Sequence, residues 1–79
     1  MQLSNVTYRI NEGKQEFQKN TYFLANYIKV NLVTWALLRE FISEDGIIQG
    51  LTVIIDYDIE DRFAKIGLGN GPTFSTIKF

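Results

Sequence analysis

Four carboxylates fall within six residues of this chain: Asp56, Asp58, Glu60 and Asp61. They follow the branched apolar run Val53-Ile54-Ile55. Acids at alternate positions can hold a metal, imitate a phosphate backbone, carry out acid–base chemistry, or keep a strand soluble. A calcium loop begins with the same alternation, but its sixth place needs glycine and its twelfth a bidentate Glu. Here those places are Asp61 and Gly67. A Mg²⁺-dependent nuclease needs two or three carboxylates converging on one point. Alternate strand positions lie about 6.6–7 Å apart, too far to chelate one ion without another element. Glu12 and Lys14 supply a short acid-x-Lys pattern, within a segment that reads as a turn.

The same spacing of about 7 Å approximates phosphates along one nucleic-acid strand. Asp56, Asp58, Glu60 and Asp61 are therefore the candidate partner-binding residues, a negative stripe for Lys or Arg of another macromolecule. The plainer reading is a solvated strand face whose charges discourage edge pairing.

Other chemistries are thin. The chain has no His and no Cys. That removes disulfides, thiolate and imidazole metal ligands and the Ser–His dyad. No catalytic, cofactor-binding or metal-binding residue stands out, and the expectation is a non-enzyme without a cofactor. The glycine-rich Gly67–Pro72 lacks the Lys-Ser/Thr of a phosphate loop and precedes a strand pattern, so it reads as a hairpin turn. Arg9, Lys14 and Lys19, interleaved with Tyr8, Phe17 and Tyr22, are the candidates for nucleic-acid contact.

These residues need a scaffold. Seventy-nine residues give a single domain, 1–79, near the lower end of what folds unaided. Net charge is −1, split as +2 over residues 1–42 and −3 over 43–79, a weak asymmetry that reads either as an aid to self-association or, more plainly, as a chance spread of solvated charges. No apolar run approaches the roughly 18 residues that cross a bilayer. The first residues lack the basic start and apolar stretch of a signal peptide, so the expected location is cytoplasmic, the host cytoplasm if the chain is viral.

Val6, Tyr8 and Ile10 alternate with Thr7 and Arg9, the pattern of a half-buried strand, and Asn11–Lys14 reads as a hairpin turn. From Tyr22 to Ser43 a helix is expected, capped by Asn20 or Thr21 and ended by Gly46. Its main face is Phe23, Tyr27, Val30, Thr34, Leu37, Leu38 and Phe41. Tyr27–Val33 also alternates and is rich in β-branched residues, but the longer period fits more positions. Three strands follow, with Val53, Ile55, Tyr57 and Ile59 on one face of the first. The expectation is an α+β fold: an antiparallel sheet of four to five strands, one long helix on one face, in the order ββαβββ.

Such a helix carries a second apolar stripe, Leu24, Ile28, Trp35 and Ile42 with Leu32 close by, which the sequence assigns to a homodimer interface. The functional expectation is a small non-catalytic protein-interaction module, dimeric, acting on another macromolecule. Its size class includes phage and mobile-element accessory proteins and inhibitors of host enzymes. The alternatives are a nucleic-acid-binding protein using the basic N-terminal half, and a metal-dependent hydrolase using the acidic strand.

Overall fold

The computed structural model describes residues 5–69 and 71–79. The order is α1 (Val6–Thr21), β1 (Tyr27–Val30), α2 (Leu32–Leu38), a 3-10 turn (Arg39–Phe41), β2 (Ile47–Ile48), β3 (Leu51–Ile55), β4 (Phe63–Gly67) and β5 (Phe74–Lys78). The five strands form one sheet in the order β2-β3-β1-β4-β5. The class is α+β, as the composition of elements implied, but the sheet is mixed: β1 pairs parallel with β3, and every other pairing is antiparallel.

The expected first hairpin is a helix. Val6, Ile10, Gly13 and Phe17 recur at helical spacing, and all four are buried. Tyr8, which alternation would bury, is exposed. Gly13 is the pivot. A Cβ there would stand 2.7 Å from Ile66 Cδ1 and 2.7 Å from Ile77 Cγ2, so its bare backbone lets α1 press against β4 and β5. The glycine that suggested a turn marks a close helix–sheet approach. Helix α1 ends at Tyr22, in the left-handed region at φ 63, whose N–H donates to the Gln18 carbonyl at 2.8 Å.

The expected long helix over Tyr22–Ser43 is a strand, a short helix and a 3-10 turn. Its first half contains β1, where Ile28 and Val30 are fully buried and the strand is hydrogen-bonded on both sides. A central position satisfies the backbone of all four residues and buries the β-branched side chains, which outweighs the helical period. Asn31 then turns the chain: its Oδ1 accepts from the Thr34 N–H at 2.8 Å and caps α2.

Val6 and Ile10 of α1 and Leu38 of α2 share one core with Ile28, Val30, Ile48, Leu51, Ala64, Ile66 and Ile77 of the strands. Both helices therefore lie on the same side of the sheet, and each fully buried Ile, Leu or Val side chain there contributes about 1.5–3 kcal/mol. Strand β3 stops at Ile55. Ile55 is 37% exposed, level with Ile54 at 39%, and Tyr57 78%, so the expected alternation from Val53 to Glu60 already fails at Ile55, and Ile59 is the one residue of its expected inner face that is buried. The acids lie in the β3–β4 loop, not on a strand face.

Candidate functional site

Side chains alternate across a strand, so the registers define what the helix-free face presents. One row across the sheet is Thr52, Tyr27, Gly67 and Phe74; the next is Ile54, Lys29, Lys65 and Thr76; Phe63 and Lys78 make a third. Three lysines and three aromatic rings thus share this face with no carboxylate among them. Each lysine lies over a ring: Lys29 Nζ is 5.2 Å from the Tyr27 centroid, Lys65 4.6 Å from Phe74, and Lys78 5.5 Å from Phe63. Lys29 and Lys65 are direct cross-strand partners. Like charges so placed destabilise a sheet, and no carboxylate is ion-paired with either among the described residues; Arg9 and Glu12 pair at 3.7 Å on α1.

The rings differ in access. Tyr27 is 5% exposed and lies across Gly67, where a Cβ would fall 2.6 Å from the Tyr27 Cζ. It forms the floor. Phe74 is 43% exposed and Phe63 half-buried, and these two can offer a ring face to a ligand. Thr52, Ile54, Thr76 and Lys78 are exposed too, since neither helix crosses this side.

The loop acids border the platform and fall into two pairs. Asp56 Oδ1 accepts from the Asp58 N–H at 3.0 Å, closing a local turn. Asp61 Oδ1 accepts from Asn31 Nδ2 at 2.6 Å, and the same nitrogen donates to the Ile59 carbonyl at 3.0 Å. The Arg62 N–H donates to Thr34 Oγ1 at 2.7 Å. Asn31 therefore caps α2 with its oxygen and holds the loop with its nitrogen, and Ile59 is driven into the interior at 6% exposure. Asp58 and Glu60 stay exposed and, with Ile59, Phe63, Lys65 and Thr76, line a shallow cavity at the platform's rim. Two of the four residues assigned to partner binding thus make structural hydrogen bonds. Among the described residues no three acids come close enough to hold a metal ion.

The residues assigned to a dimer stripe do not form one. Ile28 is fully buried in the central strand, Trp35 and Ile42 are half-buried against the core, Leu24 is exposed in the α1–β1 connection, and Leu32 is exposed at the start of α2. The basic N-terminal set is dispersed as well. Phe17 is core, Arg9 pairs with Glu12, and Lys14 Nζ donates to the Gln49 carbonyl at 2.7 Å. The sequence carried the signal of the platform in the lysines at alternate strand positions, Lys29, Lys65 and Lys78. It became legible only once β1, β4 and β5 were neighbours. Among the described residues no helix is long and apolar enough to cross a membrane.

Comparison with protein-family models, with curated proteins and with solved structures returns no match for this chain.

Proposed function

We propose that this chain is a non-catalytic binding module whose working surface is the helix-free face of the sheet, and that its ligand is single-stranded nucleic acid. One observation carries the reading: three lysines interleaved with aromatic rings on the helix-free sheet face, whose described strand residues include no acid, two of the lysines directly opposite each other. Phosphates supply the counter-charge that the face lacks, and release of condensed cations favours the exchange. Phe63 and Phe74 supply ring faces on which unpaired bases stack, at about 1–3 kcal/mol per base. A duplex hides its base faces, so a flat aromatic platform favours the single strand. Asp58 and Glu60 repel phosphate at one end, which directs the track across the strands through Lys29 and Lys65. The earlier expectation of a protein partner for the acidic loop is weaker, because Asp56 and Asp61 are engaged within the fold.

Fluorescence anisotropy with a labelled oligothymidylate and with a duplex of equal length tests this. Three phosphate contacts imply a log–log salt slope of about −2, a loss of affinity of roughly 20-fold between 50 and 200 mM salt. Lys29→Ala/Lys65→Ala should lower the slope to about −0.7. Absence of binding at 50 mM salt, equal binding of duplex, or an unchanged slope in the double variant would each overturn the proposal. Equal competition by polyglutamate would assign the face to an acidic protein instead.

A further inference from the structure

The outer edge of β5 carries a second, independent observation. The Phe79 N–H donates to the Arg62 carbonyl at 2.7 Å, continuing the β4–β5 register by one pair. In an antiparallel ladder hydrogen-bonded pairs alternate with non-bonded ones. Ile77 and Ser75 therefore bond to β4, while the N–H and C=O groups of Phe74, Thr76 and Lys78 point away from the sheet. Among the described residues no strand pairs with that edge. The strand is five residues long with Pro72 outside it, so each of the three outward N–H groups is present.

We infer that β5 pairs antiparallel with β5 of a second copy, about a twofold axis at Thr76, and joins two sheets into one. The register follows from the residues. Centring on Thr76 sets Phe74 opposite Lys78 of the partner subunit and Thr76 opposite Thr76 of the partner subunit. All three outward residues are then matched, each pair with two N–H···O bonds. Shifting by one pair in either direction loses one of the three matches, and a further shift toward the C-terminus sets Lys78 against Lys78 of the partner subunit. In the Thr76-centred register each Lys78 lies between its own Phe63 and Phe74 of the partner subunit, a favourable cation–ring arrangement on the open face. Gly13 sits over Ile77, level with the axis, and Arg9, Glu12 and Glu16 flank the groove between α1 and β5. Twofold symmetry brings Arg9 toward Glu16 of the partner subunit and sets Glu12, next to Gly13, near its own copy, so the two Arg9–Glu16 attractions stand against one like-charge approach at the axis. The two lysine–aromatic platforms become one continuous surface, although the pairing does not rest on what that surface binds.

Sedimentation equilibrium without nucleic acid, from low to high micromolar protein, should show a monomer–dimer equilibrium. Thr76→Pro removes one outward N–H and no bond to β4, so it should give a monomer of unchanged circular dichroism. Should that variant misfold, crosslinking decides. The chain has no cysteine, so Thr76→Cys should oxidise to a disulfide-linked dimer faster than Thr52→Cys, an exposed position on an interior strand. A wild type monomeric throughout, or equal crosslinking by the two cysteine variants, would overturn the inference. Lys29→Ala/Lys65→Ala should remain dimeric, which separates this outcome from failure of the nucleic-acid reading.

Discussion

Replacement of Asn31 tests the link between the central strand and the acidic loop. This side chain is 9% exposed and makes three hydrogen bonds: Oδ1 accepts from Thr34 N–H, and Nδ2 donates to the Ile59 carbonyl and to Asp61 Oδ1. In Asn31→Ala, loss of the cap costs about 1 kcal/mol. Stranding the carbonyl of buried Ile59 costs about 1–3 kcal/mol. The bond to Asp61, whose other side meets water, adds about 0.5 kcal/mol. The total is about 3 kcal/mol, against roughly 4–12 kcal/mol for a whole chain of 79 residues. Urea unfolding followed by the fluorescence of Trp35, the single tryptophan, reads this directly, because Trp35 lies on the helix that Asn31 caps. With an m-value near 1 kcal/mol/M, the midpoint falls by about 3 M. Asn31→Ser and Asn31→Asp separate the two roles. Both keep an acceptor for the Thr34 N–H. Aspartate also sets a carboxylate against the Ile59 carbonyl and the Asp61 carboxylate, so it should be the less stable of the two. A loss below 1 kcal/mol in Asn31→Ala, or an Asn31→Asp variant as stable as Asn31→Ser, would refute the clamp.

Other perturbations probe the platform and the helix that backs it. Gly67→Ala drives a methyl group into the Tyr27 ring; it should cost about 1–3 kcal/mol and change the near-ultraviolet circular dichroism of the tyrosines. Gly13→Ala gains helix propensity of about 1 kcal/mol but collides with Ile66 and Ile77, and chemical denaturation should show net destabilisation. Asp58→Lys/Glu60→Lys removes the negative rim without touching a described hydrogen-bonding side chain. It should tighten oligonucleotide binding at 50 mM salt, with the gain vanishing at 1 M, where the screening length is about 3 Å. Tyr57→Ser, at a position 78% exposed, should leave the unfolding midpoint within experimental error.

The amino-acid order alone carried the fold class, the two C-terminal strands, and the absence of thiol and imidazole side chains, because these depend on local composition or short-range alternation; the expected turn over Gly67–Pro72 lies partly outside the described residues. It misassigned the first half for a definite reason. In Val6–Phe17 both periods are present, and the helical one prevails because Gly13 permits contact with Ile66 and Ile77, residues more than fifty positions away. In Tyr27–Val30 the reverse holds. A strand there is stable only because β3 and β4 hydrogen-bond both of its edges, and those partners are invisible in a local window. The loop acids were legible as a cluster, but the role of Asp61 depended on Asn31, thirty positions distant. The lysine–aromatic face is wholly a product of register. Lys29, Lys65 and Lys78 come from three separate stretches, and only the folding of β1, β4 and β5 into adjacent strands makes one surface of them.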